Sequence, residues 1–465
     1  MRLPLWLVDK NSRPYHALFL FILAGVVAYK FNDLFLPYFW DELGVYSQCA
    51  YYQYLHGLSL MPASVPPGLS RGHPLLFTFC NAVIFKTFGP HVFCAHLFNL
   101  SIALSLLILV YISATKYFGS VSAIISCIFM ALQPIFLAQS CLVLPEMMLA
   151  LFTFCALLCF YQERFFLFAL FSSLAMLTKE TAVIIPAVVI TYSLARFLIF
   201  RKKQPALTLL NVFWVLSPYL VFGSFLLTQK MQNGWYFFPY HLEHMSLSFD
   251  HRFFDFIFLS QGRRYWYWAV IVGLVFLLFK KGVKLDTPLL LMTTLVTIFV
   301  IFSSLNFFME RYTLMALVPF AIIAGALISH ISENKILLGI LVIILVAISY
   351  PDLEPDGFNY DADMGYRKQV HTTQSAINYV DSISDGKKTV YANFPVYCAI
   401  SFPGGGYLHD NKIKAVLNFK GRVDYFIYSN PGDMVFPDTV KNKMTVLQTF
   451  KESFTEVTVY SLEKK

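Results

Sequence analysis

Charged residues are scarce in this chain. Asp, Glu, Lys and Arg make up 13% of its 465 residues, whereas hydrophobic residues make up 57%. A typical soluble domain contains about 25% charged residues, which cover the surface that faces water. The scarcity therefore excludes a soluble enzyme of this length, and the high hydrophobicity excludes a disordered or collagen-like chain. Lipid must solvate most of the molecule.

Two other features are missing, a paired cysteine motif and a signal-peptide cleavage site. The eight cysteines include no Cys-x-x-Cys pair, and most of them lie within apolar runs. This excludes a disulfide-based scaffold and predicts small buried side chains. No small-residue cleavage motif follows the first apolar run before Lys30, so we expect an uncleaved first span.

The few charges are unevenly distributed, which indicates two parts. Residues 1–350 carry a net charge of +9, whereas residues 351–465 carry −1 and have the polarity of an ordinary aqueous domain. The positive excess lies in the apolar part, where it indicates membrane topology rather than nucleic-acid binding. We therefore predict a transmembrane domain at 1–350 and a small extracytoplasmic α/β domain at 351–465.

Long apolar runs predict a polytopic α-helical membrane protein with about eleven spans. The runs lie at residues 15–30, 92–113, 120–138, 144–160, 165–178, 182–199, 207–228, 266–279, 286–304, 312–330 and 335–350. The run at 74–88 is either a further span or a short helix at the outer membrane face. Only the second alternative places the basic clusters of the N-terminus, 201–203 and 280–284 on one side. We therefore expect an inside N-terminus and an outside C-terminal domain.

The C-terminal part alternates helical and strand patterns. An amphipathic stretch at 367–380 predicts a helix, and apolar runs at 389–394, 423–428 and 456–462 predict strands. The three glycines at 404–406 lack the Lys-Ser/Thr of a phosphate-binding loop, so we expect a plain surface turn there.

Under this topology, many ionisable residues of the membrane part gather on the outer side. They are Asp41, Glu42, Arg71, His73, Glu146, Lys179, Glu180, His241, Glu243, His244, Glu310 and Arg311. Such residues at the rim of a helix bundle are costly and tend to mark a pathway or a reaction site. A transporter would place polar groups near the bilayer midplane. The pattern favours an enzyme with a surface site over two alternatives, a transporter or lipid flippase, and a non-catalytic scaffold.

Asp41 and Glu42 are adjacent carboxylates in the first outer loop. On a helix, neighbouring side chains point about 100° apart, so these two cannot share one task. One would act as a base or a metal ligand, while the other would bind an acceptor or stabilise the local fold. Equally, the pair could mark a helix N-terminus, where acidic residues are favourable.

Five short motifs follow one another in a familiar order. They are Asp41-Glu42, Gly72-His73-Pro74, Glu146 at the start of the fourth span, Lys179-Glu180 after the fifth, and Glu310-Arg311-Tyr312 with Pro319. Over about residues 10–330, the chain resembles the GT-C membrane glycosyltransferases, in particular the glycosyltransferase family 39-like branch. That branch includes the protein O-mannosyltransferases and the aminoarabinose transferases that act on lipid A.

The resemblance implies an enzyme that moves a sugar, a hexose or a pentose, from a polyprenyl-phosphate carrier to an acceptor hydroxyl, usually with inversion. It implies that Asp41 deprotonates the acceptor, and that Arg311 and Lys179 hold the leaving phosphate. Glu146 would bind sugar hydroxyls or orient the cations. The further candidates for substrate binding are Arg71, His73, Glu180 and Tyr312. The alternative for Lys179-Glu180 is a neutralised pair at a helix end.

His241, Glu243 and His244 are candidate ligands for a divalent metal ion. On a helix, His241 and His244 would share one face because they are three residues apart. The lipid A transferases carry Glu-Lys where Gly72-His73 stand here, and that Glu helps to hold a metal. Its absence leaves packing of the histidines against aromatic residues as the alternative.

The expected location is a bacterial inner membrane, with the site and the C-terminal domain on the extracytoplasmic side. The expected partners are a polyprenyl-phosphate sugar donor, membrane lipid and an acceptor glycan, lipid or protein, and no nucleic acid.

Overall fold

A computed structural model of the chain describes residues 13–200, 208–244, 288–305, 308–331, 339–340, 343, 360–408, 413–417, 423–430 and 444–462. Within these residues, apolar helices join a small mixed sheet that is formed by the C-terminal part of the chain. The predicted fold class, a polytopic helical membrane protein with a small C-terminal α/β unit, is confirmed.

The membrane part is built from helices of very different lengths. In chain order they are α1 (Arg13–Lys30), α2 (Ser47–His56), α3 (Pro67–Ser70), α4 (Leu76–Phe88), α5 (Val92–Phe118), α6 (Ser120–Ala131), α7 (Pro134–Gln139), α8 (Glu146–Tyr161), α9 (Phe165–Thr178), α10 (Ile184–Phe200), α11 (Leu209–Asn233), α12 (Pro239–His244), α13 (Pro288–Ser304) and α14 (Leu314–Ile331). Short 3₁₀ turns lie at Asn32–Phe35, Pro62–Ser64, Glu180–Val183 and Glu310–Thr313, and a π-helix lies at Glu42–Tyr46.

Five helical stretches among the described residues are long and apolar enough to cross a membrane. They are Arg13–Phe35, Val92–Phe118, Glu180–Leu198, Leu209–Asn233 and Glu310–Ser329. Five shorter apolar helices accompany them, namely α4, α6, α8, α9 and α13. The predicted runs at 266–279 and 335–350 lie outside the described residues, apart from 339–340 and 343.

Two of the predicted runs are refined by the structure. The run at 120–138 is broken into α6 and α7, because Pro134 cannot continue a helix and starts a new one. The run at 74–88 becomes α4, which has 13 residues and is therefore about 20 Å long, shorter than the ~30 Å hydrocarbon layer. Its placement at the outer membrane face stays a prediction.

The helix α14 is the most enclosed of the five long stretches. It packs against α6, α8 and α13. Gly325 permits the contact with α6, since a Cβ at this position would lie 2.5 Å from the carbonyl oxygen of Ser122. Small residues let membrane helices approach this closely. The packing fixes the turn that precedes α14, which carries Arg311.

Within its described residues, the C-terminal unit contains two helices and one five-stranded sheet. The elements are α15 (Tyr366–Ile383), β1 (Lys388–Ala392), α16 (Val396–Ser401), β2 (Ile413–Val416), β3 (Tyr425–Ser429), β4 (Met444–Glu452) and β5 (Thr455–Leu462). The strand order is β2-β1-β3-β5-β4. β1 runs parallel to β2 and β3, whereas β5 runs antiparallel to β3 and β4.

The helix α15 packs against β3, β4 and β5 through its buried side chains Val370, Ile377 and Val380. The predicted helix and the three predicted strands are confirmed, while β2 and β4 were not predicted. The predicted domain boundary between residues 350 and 351 lies outside the described residues.

A network of buried polar groups joins α15 to the end of α1. Lys30 Nζ donates a hydrogen bond to the Tyr366 hydroxyl at 2.8 Å and pairs with Asp33. The Tyr366 hydroxyl donates to Asp33 Oδ2 at 2.6 Å, and Arg367 Nε donates to Asp33 Oδ1 at 2.7 Å. We refer to Lys30, Asp33, Tyr366 and Arg367 as the junction network.

The glycines at 404–406 form a second junction, and the expectation of a plain surface turn there is wrong. Gly405 is buried, and its carbonyl oxygen accepts a hydrogen bond from the Tyr38 amide at 3.0 Å. A Cβ on Gly406 would lie 3.2 Å from the Cα of Pro37. The missing side chains let the C-terminal unit approach the first loop of the membrane part closely.

Candidate active site

Asp41 occupies a constrained position in the first loop. It follows Trp40, whose backbone has the left-handed φ of +48° that is rare for a bulky residue. The Trp40 ring packs edge-on against Phe394 of the C-terminal unit, with 4.8 Å between the ring centroids. Both Trp40 and Asp41 line a cavity. The C-terminal unit therefore helps to fix the direction of the Asp41 side chain.

Arg311, in the turn before α14, contacts three carboxylates, although only 4% of its side chain is exposed. Its Nη2 donates to Asp41 Oδ2 at 2.7 Å, and its Nη1 donates to Asp361 Oδ2. Its Nε lies 3.1 Å from Glu146 Oε1, the same oxygen that accepts from Lys179 Nζ at 2.5 Å. We refer to these five residues as the Arg311 cluster.

The cluster gives Asp41 and Asp361 different acidities. Burial by itself would raise the pKa of the Asp41 carboxyl, but the positive charges of Arg311, Arg71 and Lys179 together outweigh this and hold the pKa below its ordinary value. Burial raises the pKa of Asp361 to about 6, although Arg311 acts in the opposite direction. Asp41 is therefore an ionised carboxylate at neutral pH, and one of its oxygens accepts no hydrogen bond from the described residues.

Glu42 lies in a different environment, although it is adjacent to Asp41. It is completely buried. Its Oε1 lies 2.6 Å from His96 Nε2 and accepts from the Val143 amide at 2.8 Å, while its Oε2 accepts from the Phe39 amide at 2.9 Å. Glu42 thus ties the first loop to α5 and to the segment before α8. This geometry favours the alternative in which it stabilises the local fold.

A second polar group in the lining of this cavity contains Arg71 and His73. Arg71 follows α3 with a φ of +47° and is half-buried. Its backbone amide donates to the Pro67 carbonyl at 2.8 Å, whereas its guanidinium forms no hydrogen bond or ion pair with the described residues. Gly72 has a φ of +73°, and a Cβ there would lie 2.8 Å from the ring of Trp235. His73 Nδ1 lies 3.1 Å from both carboxylate oxygens of Glu180. The motif thus presents an unpaired cation beside a carboxylate-bound imidazole.

Of the three metal candidates, the structure describes the side chains of His241 and Glu243. The ring of His241 lies 4.9 Å from that of His73, between centroids. Burial lowers the pKa of His241 to about 4, and His73 contributes in the same direction. Glu243 is exposed, and the side chain of His244 lies outside the described part. Among the described residues, no three His, Cys, Asp or Glu side chains are arranged to hold a metal ion. The metal site stays a prediction.

One cavity of about 580 Å³ is lined both by Asp41 and Arg311 of the Arg311 cluster and by Arg71 and His73. Its polar lining includes Asp41, Arg71, His73, Glu180, Gln229, His241, Arg311 and Tyr312. Its apolar lining includes Phe222, Phe225 and Leu226 of α11 and Phe299 and Phe302 of α13. Glu146 and Lys179 do not line it but lie behind Arg311, and Lys179 Nζ sits 3.9 Å from the ring centre of Tyr312.

Asp361 and His96 were not among the sequence-based candidates. Nothing in the sequence distinguishes Asp361, because an acidic residue is ordinary in a polar domain. His96 carried a usable signal, since a histidine near the start of an apolar run is costly and needs a partner. Its partner is Glu42.

Residues 72–222 match the family model described as dolichyl-phosphate-mannose-protein mannosyltransferase. No curated protein sequence matches the chain. The solved structure of ArnT from Cupriavidus metallidurans bound to undecaprenyl phosphate aligns with a TM-score of 0.60 and 14% identity, covering 96% of this chain and 97% of ArnT.

A second solved structure is more distant. The archaeal oligosaccharyltransferase AglB from Archaeoglobus fulgidus, in complex with an inhibitory peptide and a dolichol-phosphate, aligns with a TM-score of 0.54 and 10% identity, covering 83% of this chain and 63% of AglB. None of these matches supports the transporter or flippase alternative. The resemblance predicted from the sequence is confirmed: the chain has the GT-C fold of these membrane glycosyltransferases.

Proposed function

We propose that the chain is a membrane glycosyltransferase that takes a sugar from a polyprenyl-phosphate carrier and passes it to an acceptor hydroxyl. One observation carries the proposal. The open oxygen of Asp41 and the unpaired guanidinium of Arg71 belong to residues that line the same cavity, and much of the remaining wall is apolar. A base, a phosphate-binding cation and a lipid-compatible surface are the three elements that this reaction requires.

The apolar wall suits the prenyl chain of the donor. Part of this wall is formed by α11 and α13, which are apolar helices of the membrane part. A prenyl chain can therefore leave the bilayer and enter the cavity without contact with water, which retains the free energy of apolar burial. The ArnT and AglB structures, which hold undecaprenyl phosphate and a dolichol-phosphate, support this assignment.

The phosphate of the donor would bind to Arg71. Its guanidinium is available because no described carboxylate pairs with it, and charge-assisted hydrogen bonds to phosphate are strong. By contrast, Arg311 and Lys179 are both engaged by carboxylates in the Arg311 cluster. We therefore assign the direct phosphate contact to Arg71, with His73 beside it, and assign Arg311 to Asp41.

The reaction follows from these positions. Asp41 accepts the proton of the acceptor hydroxyl through its open oxygen. The acceptor oxygen forms a bond to the anomeric carbon, while the bond from that carbon to the phosphate oxygen breaks and its electron pair stays with the phosphate. Arg71 stabilises the negative charge that develops there. A single displacement of this kind inverts the configuration of the anomeric carbon.

The finer features of the function are also proposals. The transferred sugar would be a hexose or a pentose, because the resemblance extends to transferases of both kinds. The site would face the extracytoplasmic side of a bacterial inner membrane. Support for this orientation comes from the basic clusters of the sequence, which all fall on the opposite side when α4 lies at the membrane surface.

The test is an assay with purified, lipid-reconstituted protein. It is supplied with polyprenyl monophosphates that carry different hexoses or pentoses and with a panel of hydroxyl acceptors, and the release of free polyprenyl phosphate is measured. Release that depends on one sugar and one acceptor is expected. Uniform lack of release across the panel, by protein that is shown to bind polyprenyl phosphate, would contradict the proposal.

A further inference from the structure

Asp361 belongs to the C-terminal unit, yet its carboxylate lies in the Arg311 cluster. The residue is buried in the short turn Tyr360–Ala362. Its backbone carbonyl accepts a hydrogen bond from Gln139 Nε2 at 2.8 Å, and its Oδ2 accepts from Arg311 Nη1. Asp361 is therefore held on its backbone side by α7 and on its side-chain side by the turn before α14.

The charged groups around Asp361 come from several elements. Arg311 contacts it directly, while Asp41 of the first loop and Glu146 of α8 share the same guanidinium. Lys179, the fifth member of the cluster, pairs with Glu146. Asp363 lies close in sequence, and its Oδ1 accepts a hydrogen bond from the Gly365 amide at 2.8 Å. Within the part of the C-terminal unit that the structure describes, only Asp361 contacts Arg311.

The arrangement divides the two terminal nitrogens of Arg311 between two carboxylates. Nη1 donates a hydrogen bond to Asp361, and Nη2 donates a hydrogen bond to one oxygen of Asp41. An arginine that meets a single carboxylate tends to bind both of its oxygens in a fork. With Nη1 unoccupied, Arg311 would be free to bind Asp41 in this way. Both Asp41 oxygens would then be engaged, and neither would be open to an acceptor.

We propose that Asp361 is a positioning residue: by occupying Nη1 of Arg311, it prevents bidentate capture of Asp41 and keeps one Asp41 oxygen open for the acceptor hydroxyl. This inference rests on the proposed glycosyltransferase function. It assigns to the C-terminal unit a direct part in preparing the base. Asp361 does not line the cavity, so it touches neither the donor nor the acceptor.

The separation of tasks predicts a specific kinetic signature. The donor phosphate is assigned to Arg71, which is not a member of the Arg311 cluster, so its binding should not depend on Asp361. Removal of Asp361 should therefore lower kcat and leave the KM for the polyprenyl-phosphate sugar unchanged. A misoriented catalytic group typically costs a factor on the order of 100 in rate.

The experiment compares Asp361→Ala and Asp361→Asn in the full chain. We expect Asp361→Ala to lower kcat about 10- to 100-fold, with the donor KM within about twofold of the original value. The kcat of Asp361→Asn should lie between that of Asp361→Ala and that of the unchanged chain, because the amide oxygen of Asn still accepts a hydrogen bond from Nη1 but carries no charge. The matched control is Asp385→Ala, which removes a carboxylate of the same unit that pairs with Lys388 at the surface and should keep the original kcat.

A second background separates positioning from a general structural role. In Arg311→Lys, the single ammonium group has no fork with which to capture both oxygens of Asp41. We therefore expect Asp361→Ala to cost much less in this background than in the unchanged chain, a coupling that a double-mutant cycle measures. Equal costs in both backgrounds, or an unchanged kcat for Asp361→Ala, would overturn the inference. An unmodified chain that releases no polyprenyl phosphate would contradict the proposed function instead.

Discussion

The junction network and the Arg311 cluster are alike in several respects. Both are largely buried, both combine arginine, lysine and aspartate, and both connect the membrane helices to the C-terminal unit. They differ in what remains open. In the junction network, Asp33 uses both carboxylate oxygens, toward Arg367 and Tyr366. In the Arg311 cluster, only one carboxylate oxygen of Asp41 accepts a hydrogen bond from the described residues, and Asp41 lines a cavity.

The difference distinguishes a structural charge network from a reactive one. A buried ion pair is weak support for a functional role, because fixed networks of this kind also hold folds together. An open acceptor atom beside a cavity is more informative, since it can receive a proton from a substrate. Asp41 and Glu42 show the same contrast at adjacent positions, because both carboxylate oxygens of Glu42 form hydrogen bonds with groups of the fold.

The largest expected effect is on activity and concerns the open carboxylate. Asp41→Asn keeps an oxygen that accepts from Arg311 but cannot take a proton from an acceptor. We expect the release of polyprenyl phosphate to fall by about 10²- to 10⁴-fold, with little change in the thermal unfolding temperature. Normal turnover by this variant would remove the base assignment.

The next largest effect is on stability and concerns the junction network. Asp33→Asn leaves the ammonium of Lys30 buried without its counterion. Loss of one partner of a buried ion pair costs about 3–5 kcal/mol of unfolding free energy, so the unfolding temperature of the solubilised protein should fall clearly. Lys388→Ala, which breaks a surface pair with Asp385, serves as the control and should leave the unfolding temperature unchanged. A thermally unaltered Asp33→Asn would show that the junction network does not hold the two parts together.

A smaller effect is expected for the unpaired cation. Arg71→Gln removes the charge that we assign to the donor phosphate. Since hydrogen bonds to charged groups contribute about 1.5–3 kcal/mol, the KM for the donor should rise about 10- to 100-fold. Arg164→Gln, at an exposed arginine that does not line the cavity, should keep the original KM. An unchanged KM in Arg71→Gln would place the phosphate elsewhere.

The smallest effect concerns pH. The pKa of Asp361 is raised by burial to about 6, so the carboxyl takes up a proton as the pH falls from 7 to 5. The uncharged form binds Nη1 of Arg311 more weakly, and the transfer rate should decline over this range. Asp361→Asn is uncharged at every pH and should lack this decline. A decline of equal size in the variant would assign it to another group.

The extent to which sequence predicts this molecule differs between its parts. The apolar helices and three of the five strands follow from hydropathy and alternation, because lipid and the core impose those patterns along the chain itself. Asp41, Arg71 and Arg311 could be selected as candidates because a charged residue in an apolar sequence is energetically costly and tends to mark a functional site. Lys179 and Glu146 could be selected equally, but the sequence did not indicate that they lie behind Arg311 rather than in the cavity wall.

Other features depend on contacts between distant segments. The role of Asp361 requires the turn before α15 to meet the turn before α14, and neither turn carries a pattern that predicts the encounter. The glycines at 404–406 gave a turn signal, but their burial against the first loop depends on Pro37 and Tyr38. The strand β4 has an exposed pattern typical of a sheet edge, and so lacks the alternation that identifies a half-buried strand.

The most direct test of the account measures two properties of Asp41→Asn and Asp33→Asn side by side. These are the release of polyprenyl phosphate per folded molecule and the thermal unfolding temperature. The account predicts that Asp41→Asn unfolds near the original temperature and has lost release. It predicts that Asp33→Asn unfolds at a lower temperature and retains release. If Asp41→Asn released polyprenyl phosphate at the original rate per folded molecule, the proposed reactive role of the cavity carboxylate would be contradicted.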